Sequence, residues 1–410
     1  MKRVLFIGLV FPESSSTAAG TRMLQLITFF KEHNYLITFA SAAQESPFSD
    51  DLMPLDVEQV SIELNNASFD SFVKDLNPEI VVFDRFIAEE QFGWRVAENC
   101  PNAIRILDTE DLHCLRASRQ EAFKNNILFK IASLFKADIC KREIASIYRC
   151  DLSLIISSFE FDLLTNEFKI PHEILLKIPF MFDRIIEEQI SNKPSFEDRV
   201  DFISIGNFKH EPNWQSVLFL KKRIWPLIKK ELPKAKLLIY GAYSSQKVAD
   251  LHNEKEGYIV KGRAEDALEV IEKSRVLLAP LQFGAGLKGK LIDAMQTGTP
   301  SVTTSIGAEG MHAGLPWNGF IADNPVEIAS KAIELYTKRE IWMKAQQHGF
   351  VITNQLYDKE KLGFRLIDRI TELQENLDQH RAQNFMGVLL QYHTLQSTKY
   401  LGKWIEAKNS

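Results

Sequence analysis

The sequence predicts an α/β protein built from two doubly wound parallel-sheet domains that face a central cleft. Short apolar runs alternate with helical patterns along the chain, as is typical of parallel sheets covered by helices on both faces. The alternation is interrupted at 187–199 by a polar stretch that contains Pro194 and shows no clear periodicity. The length of 410 residues is about twice that of an ordinary domain, which agrees with one domain on each side of this linker.

The strand predictions follow the apolar runs in chain order. The first half contains six such runs, at 4–11, 35–41, 80–84, 104–108, 152–157 and 174–180. The second half contains five, at 200–206, 236–240, 258–262, 275–281 and 301–304. After about Glu360 the pattern becomes mainly helical. We therefore predict an N-terminal domain at 1–190, a C-terminal domain at 200–370 and a helical tail at 371–410.

Composition and charge exclude several classes of protein. Apolar residues make up 45% of the chain and the net charge is only −5, with acids and bases dispersed, so nothing indicates a nucleic-acid partner. The four cysteines show no CxxC pairing, which favours reduced thiols in the cytoplasm over a disulfide framework or a zinc site. The apolar N-terminus is short and is broken by Pro12, so we interpret it as a buried strand. No apolar run is long enough to span a bilayer.

The most informative stretch lies at 277–311, where an apolar strand enters a glycine-rich turn and then a helix. Gly284 and Gly286 allow the backbone to approach a bound group, and the helix N-terminus presents free N–H groups and its positive dipole end. Lys288 and Lys290 add two positive charges at the same place. This combination predicts a seat for a dianion, most simply the pyrophosphate of a nucleotide.

Asp293 follows Lys290 by three residues, about one helical turn further in, where its carboxylate can accept hydrogen bonds from ribose hydroxyls. Gly298 is predicted to end this helix. Glycine turns between a strand and a helix also occur in sheets that bind nothing, so the prediction depends on the whole combination and not on the turn alone.

This stretch resembles the donor-site region of the retaining glycosyltransferases of family 4, which have two Rossmann-like domains. The shared elements stand in the same order within one short window: Gly284-Ala285-Gly286, Lys288, Lys290, Asp293-Ala294-Met295, Gly298-Thr299-Pro300 and Gly307-Ala308-Glu309-Gly310. The resemblance implies that terminal helices cross back onto the first domain. It also implies donor contacts from Gly284, Ala285, Gly286, Leu287, Lys288, Asp293 and Glu309.

One position departs from the family pattern. Many members carry two glutamates with seven residues between them, whereas this chain has Asp293 at the second position and Ala285 at the first. The first glutamate usually contacts the donor sugar, so the resemblance does not identify the sugar.

A second loop is predicted to face the same crevice. The first strand of the second domain ends at Gly206, and ligands of doubly wound sheets bind beyond the carboxyl ends of strands. Related enzymes often place a basic residue here against the donor diphosphate. Lys209 is the predicted residue and His210 the second choice, with Asn207 beside them. The alternative is that Asn213 caps the next helix and Lys209 is solvated.

The acceptor side is predicted in the first domain. Gly20 and Arg22 match the family's glycine-containing loop and following arginine, and Arg22 is expected either to reach an anionic group or to be a surface charge. After the strand at 104–108 stands a dense polar set with a DLHxLR motif, which occurs at this place in related bacterial glycosyltransferases. Asp111 and His113 are predicted to position a hydroxyl, and Arg116 to hold a phosphate or carboxylate. Alternatively, Asp111 caps a helix and His113 is simply buried.

A basic amphipathic segment lies at 123–142, with apolar residues at helical spacing. It is a candidate contact with an anionic bilayer that carries a lipid-linked acceptor. An ordinary helix packed on its own sheet is the favoured alternative, because the lysines do not gather on one face.

The resemblance implies an enzyme that moves a sugar from a nucleotide-diphosphate donor to an acceptor hydroxyl, with retention, in glycan, cell-surface polysaccharide or glycoconjugate synthesis. Lys209, Lys290, Asp111 and His113 are the predicted catalytic residues. We expect no metal and no cofactor, because fixed cations can stabilise the leaving diphosphate. The expected acceptor is a glycan, lipid-linked or protein-linked. The expected location is the cytoplasm, including the inner face of the membrane. A sugar-nucleotide epimerase and a non-catalytic partner subunit are the alternatives.

Overall fold

The computed structural model describes residues 2–409, apart from the side chains of 394–396 and 409. Two parallel sheets form its core. The first has the strand order β3-β2-β1-β4-β5-β6-β7, with β1 Arg3–Gly8, β2 Leu36–Ser41, β3 Glu58–Ser61, β4 Ile80–Asp84, β5 Ile104–Asp108, β6 Leu152–Ile155 and β7 Leu175–Lys177. The second has the order β10-β9-β8-β11-β12-β13, with β8 Val200–Ile205, β9 Leu237–Tyr240, β10 Tyr258–Gly262, β11 Ser274–Ala279, β12 Ser301–Thr303 and β13 Gly319–Ile321.

Helices connect the strands and cover the sheets. Those of the first half are α1 Ala18–Glu32, α2 Ser68–Leu76, α3 Arg85–Asn99, α4 His113–Lys124, α5 Asp138–Arg149 and α6 Ser158–Asn166. The linker contains α7 Glu187–Ser191. The remaining helices are α8 Glu211–Phe219, α9 Trp225–Glu231, α10 Gln246–Ala249, α11 Ala267–Glu272, α12 Gly289–Thr297, α13 Ser305–Ala308, α14 Pro325–Thr337, α15 Arg339–Leu356, α16 Lys359–Gln383 and α17 Phe385–Asn409.

Burial on both faces explains why the central strands have continuous apolar sequences. In β1 and β4, alternate side chains join different apolar clusters: Leu5 and Val81 pack on one face of the first sheet, and Phe6 and Val82 on the other. A parallel strand covered by helices on both faces needs apolar residues at every position. The predicted fold class, with two parallel-sheet domains and a cleft between them, is confirmed.

Every apolar run predicted as a strand contains one, but the sequence did not indicate β3 or β13. Both are edge strands of their sheets. The residues of β3 are Glu-Gln-Val-Ser, and β13 has only three residues, each half-buried. An edge strand is covered less than a central one, so it does not need the apolar run that identifies a strand in the sequence.

The predicted return of the C-terminal helices to the first domain is confirmed. Helix α16 packs Leu362, Leu366 and Ile370 into the apolar cluster on one face of the first sheet. Arg381, near the end of the helix, donates hydrogen bonds of 2.8 Å to both carboxylate oxygens of Asp151. The packing begins at Leu362, before the boundary predicted at residue 370.

The two chain crossings between the domains lie side by side. Phe182 follows the last strand of the first sheet, and its backbone N–H donates to the carbonyl oxygen of Tyr357 at 2.8 Å. The carbonyl oxygen of Phe182 accepts from the N–H of Lys359 at 2.8 Å. The outgoing chain and the returning chain are therefore joined at one place.

The helical pattern predicted over 123–142 is wrong as one continuous helix. Helix α4 ends at Lys124, and Asn126 then adopts a left-handed backbone with φ 53°, a conformation that Asn tolerates at helix ends. A short 3-10 segment at Ile131–Lys136 precedes α5. The connecting loop leaves Ile127 and Leu128 exposed at 64% and 84%. Within residues 2–409, no helix is both long enough and apolar enough to cross a membrane.

Candidate active site in the interdomain cleft

A cavity of about 490 Å³ lies between the two domains. The first domain lines it with residues of the loop at 14–21 and with polar side chains that follow β4 and β5. The second domain lines it with the loops after β8, β9, β10 and β11 and with the start of α12. Loops at the carboxyl ends of parallel strands thus meet across the cleft, as the topology of doubly wound sheets requires.

The floor of the cavity is the glycine turn at 284–286, which leads into α12. Gly286 has φ 61°, in the left-handed region that favours glycine. A Cβ atom on Gly286 would lie 2.7 Å from Cβ of Asp111 in the first domain, so the two loops approach as closely as they do only because this residue is glycine. Helix α12 begins at Gly289, and its N-cap residue Lys288 makes no side-chain capping bond.

Lys288 and Lys290 place two ammonium groups at this helix start, where Lys288 is buried and Lys290 is half-buried. Nζ of Lys288 donates to the carbonyl oxygen of Gly286 at 2.8 Å, and Nζ of Lys290 donates to Oδ1 of Asn213 at 2.8 Å. Burial lowers the pKa of each lysine to about 8. Burial also raises the pKa of Asp293 to about 7, against the opposite effect of Lys290. Within the described chain, both ammonium groups donate to neutral oxygens and neither forms an ion pair.

The loop after β8 joins the same site, as predicted. Gly206, Asn207, Lys209 and His210 all line the cavity. A Cβ atom on Gly206 would lie 2.6 Å from Nζ of Lys290, so a larger residue there would displace the lysine. Asn213 does not cap α8; its Nδ2 donates to the carbonyl oxygen of Asn207 at 2.9 Å, and its Oδ1 accepts from Lys290.

The polar set after β5 faces this loop from the first domain. Asp111 contacts Nε of Arg116 at 3.2 Å and Nε2 of His113 at 3.4 Å. Nη1 of Arg116 lies 3.3 Å from Nε2 of His210, across the cleft. Burial lowers the pKa of His113 to about 4, so its imidazole is neutral near pH 7. Burial alone would raise the pKa of Asp111, but Arg116 and His113 hold it below its usual value.

Asp111 is not the cap of the following helix. The carboxylate of Glu143 accepts hydrogen bonds from the backbone N–H groups of His113 at 2.9 Å and Cys114 at 2.8 Å, which satisfies the start of α4. The carboxylate of Asp111 is therefore available to the cleft, where it also lines the cavity.

Three residues predicted as direct contacts lie outside the lining of the cavity. Arg22 is 1% exposed, because its guanidinium pairs with Asp108 at 2.7 Å and donates to the carbonyl oxygen of Pro179 at 3.1 Å. Gly20 packs against the backbone of Glu13, where a Cβ atom would lie 2.4 Å from the carbonyl carbon. The third residue, Glu309, is held by an arginine of the first domain.

That arginine is Arg119, one of two residues that clamp the glycine turn from the first domain. Its Nη1 donates to the carbonyl oxygen of Gly284 at 2.8 Å, and its two Nη atoms bond the carboxylate of Glu309 at 2.7 and 2.8 Å. Oε1 of Glu160 accepts from the N–H of Gly286 at 2.8 Å and from that of Leu112 at 3.0 Å. The turn is thus fixed on both sides by the first domain.

No motif in the sequence indicates the clamp. Glu160 is fully buried, and burial, followed by the charge of Asp111, raises its pKa to about 8. It lies 126 residues from its partner Gly286, and Arg119 lies 190 residues from Glu309. The available hint was the position of Glu160 between Phe159 and Phe161 at the start of α6.

We predict that Glu160→Ala weakens binding of a nucleoside diphosphate by about ten-fold or more, because two buried N–H groups lose their acceptor at about 1–3 kcal/mol each. Glu160→Gln should retain binding, since its amide oxygen can accept both bonds. Calorimetric titration of the folded variants measures the affinity. Glu167→Ala, at the exposed end of α6, is the matched control. Wild-type affinity in Glu160→Ala would show that the clamp does not shape the seat.

Comparison with known proteins agrees with this geometry. Residues 199–338, which contain the glycine turn and both lysines, match the family model described as "Glycosyl transferases group 1". A relative from Klebsiella pneumoniae, named "Uncharacterized 44.6 kDa protein in cps region", is 24% identical over 295 residues, covering 68% of this chain and 72% of the relative.

Solved structures share the two-domain fold. TarM of S. aureus, in complex with fondaparinux, alpha-GlcNAc-glycerol and UDP, superposes with a TM-score of 0.68 at 10% identity, covering 90% of this chain and 100% of TarM. HepE of Anabaena, in complex with UDP and glucose, superposes with a TM-score of 0.65 at 11% identity, covering 90% of this chain and 100% of HepE. Sucrose-phosphate synthase of Thermosynechococcus elongatus superposes with a TM-score of 0.66 at 13% identity, covering 91% of this chain and 99% of the synthase. The matched domain and the shared fold identify the chain as a glycosyltransferase with two Rossmann-like domains.

Proposed function

We propose that this glycosyltransferase moves a sugar from a uridine diphosphate donor to a glycan hydroxyl with retention, in the manner of the family 4 enzymes that its donor stretch resembles. The observation that carries the proposal is the seat formed by Lys288, Lys290 and the uncapped start of α12. Two cations that contact neutral oxygens match the charge of a diphosphate.

The proposed transfer needs no protein nucleophile. The acceptor oxygen forms a bond to the anomeric carbon on the face from which the diphosphate departs, while the bond between that carbon and the diphosphate oxygen breaks. The acceptor proton passes to the departing diphosphate. Lys288, Lys290 and Lys209 stabilise the charge that develops on the leaving group, and the helix start adds its dipole.

The comparisons support the donor and the pathway. TarM and HepE are described in complex with UDP, and HepE also with glucose. The Klebsiella relative is named for its place in a cps region, which supports a role in the synthesis of a cell-surface polysaccharide. A glycan acceptor is also consistent with the polar lining of the first-domain side of the cleft.

The proposed division of labour between the domains predicts different defects in two variants. Asp293→Ala should weaken nucleoside diphosphate binding, because Asp293 lies in α12 beside the seat. His113→Ala should keep that binding and lose transfer, because His113 lies on the acceptor side. Titration of uridine diphosphate and a separate transfer assay measure the two effects. Loss of nucleotide binding in His113→Ala with normal binding in Asp293→Ala would reverse the assigned roles.

Stereochemistry and metal dependence test the proposed mechanism directly. We expect the product to keep the anomeric configuration of the donor, as seen by proton NMR during turnover. We expect transfer to continue in excess EDTA, because fixed cations occupy the place that a metal takes in other transferases. An inverted product, or activity that is abolished by EDTA and restored by Mn²⁺, would contradict this mechanism. Conversion of the donor without an acceptor would instead indicate an epimerase.

We also propose that the enzyme touches an anionic membrane through the loop after α4. Ile127 and Leu128 project from this loop, and Lys124 and Lys130 flank them in sequence. Wild-type protein should sediment with phosphatidylglycerol vesicles, and the double variant Ile127→Ser and Leu128→Ser should do so several-fold less. Leu268→Ser, an exposed site in the second domain, is the control. Equal sedimentation of all three proteins would refute the contact.

A further inference from the structure

Two charged side chains of the first domain line the cleft and have no part in the seat or the clamp. Arg85 follows β4 and Glu110 follows β5. These strands are parallel neighbours, with Asp84 paired to Asp108 at their ends, so the two side chains emerge close together. Both residues adopt left-handed backbones, with φ 69° and 61°. Such a backbone is unfavourable for residues other than glycine and is found preferentially at functional sites.

The guanidinium group of Arg85 has N–H donors without a hydrogen-bond acceptor in the described part of the chain. Its Nε lies 3.4 Å from Oδ1 of Asp84, which makes an ion pair. Among residues 2–409, no hydrogen bond from its guanidinium is found, although this group has five N–H donors. Its side chain is 18% exposed, towards the cleft that it lines.

Glu110 offers the complementary group. Its Oε1 is buried and has no hydrogen-bond partner in the described part of the chain. Burial, together with Asp108 and Asp84, raises the pKa of Glu110 to about 8, while Arg85 and Arg22 act in the opposite direction. Near pH 7 the carboxyl group is therefore largely protonated, and a protonated carboxyl can both donate and accept a hydrogen bond.

Charges around this pair are already balanced by protein partners. Asp108 pairs with Arg22 at 2.7 Å, and Asp111 pairs with Arg116 at 3.2 Å. The acid beside Arg85 is Asp84, as described above. The two lysines that contact only neutral oxygens lie instead in the second domain, at the seat. The first-domain side therefore suits an uncharged group that donates and accepts hydrogen bonds.

We propose that Arg85 and Glu110 form the acceptor subsite and bind hydroxyl groups of an uncharged sugar ring. Sugar hydroxyls both donate and accept, so one can accept from Arg85 while a neighbour bonds the carboxyl group of Glu110. The two side chains hold the acceptor and take no proton from it. This inference rests on the proposed function and specifies the substrate class on its first-domain side.

The test compares matched pairs of ring sugars on the full chain saturated with uridine diphosphate. Methyl glycosides of glucose, galactose and mannose are titrated by ligand-observed NMR beside the corresponding methyl uronosides, which differ by one carboxylate. We expect at least one uncharged glycoside to bind more tightly than its uronoside. Arg85→Met and Glu110→Ala should each weaken that binding by about ten-fold, from the loss of hydrogen bonds to a charged or buried group. Arg184→Met, an exposed arginine outside the cleft, is the control.

Uridine diphosphate affinity separates this proposal from the proposed function. It should be unchanged in both variants, because in the described chain neither side chain forms a hydrogen bond or an ion pair with the glycine turn, Lys288 or Lys290. If a uronoside bound more tightly than its uncharged glycoside, and if Arg85→Met abolished that binding, the acceptor would be an anionic sugar and not an uncharged one. Binding of no glycoside, or wild-type binding in both variants, would overturn the subsite while leaving the donor site standing. Failure of the wild-type chain to bind uridine diphosphate would instead refute the donor site.

Discussion

The arrangement of the whole cleft depends on the clamp that the first domain places on the glycine turn of the second. The turn contributes backbone, not side chains, and backbone groups are useful to a ligand only when their orientation is fixed. Arg119 fixes the carbonyl group of Gly284, and Glu160 fixes the N–H of Gly286. The glycine turn therefore has its observed orientation only when the two domains are together, and in the proposed function this links donor binding to the exclusion of water.

Burial determines the electrostatic properties of the two lysines at the seat. Taking an ammonium group out of water costs on the order of several kcal/mol unless a partner compensates. Lys288 and Lys290 meet neutral oxygen atoms, and burial lowers the pKa of both to about 8. In the proposed function, the bound diphosphate compensates these lysines, and its negative charge is greatest when the bond to the sugar breaks. The carboxylate of Glu309, whose charge raises the pKa of Lys288, is itself paired with Arg119.

How far the sequence predicts this protein depends on how local each feature is. The glycine turn, both lysines and Asp293 lie within ten residues of one another, so their spacing was enough to predict that they lie together at one side of the cleft. The clamp joins residues more than 100 positions apart, and the sequence does not show which helix lies over which loop. Arg22 illustrates the same limit, because its partner Asp108 becomes its neighbour only through the strand order of the first sheet. The edge strands β3 and β13 were missed because half-covered strands need no apolar run.

The pairing of the two interdomain crossings at Phe182 has a mechanical consequence. Both covalent links between the domains pass through the same point, where Tyr357 and Lys359 bond Phe182. We expect the two domains to move as rigid bodies about this hinge, with the smallest displacement beside Phe182 and the largest at the opposite side of the cleft. The contacts of Arg119 and Glu160 with the glycine turn hold the domains together across the cleft. Substrates can therefore enter through a modest angular opening, without either half losing its own packing.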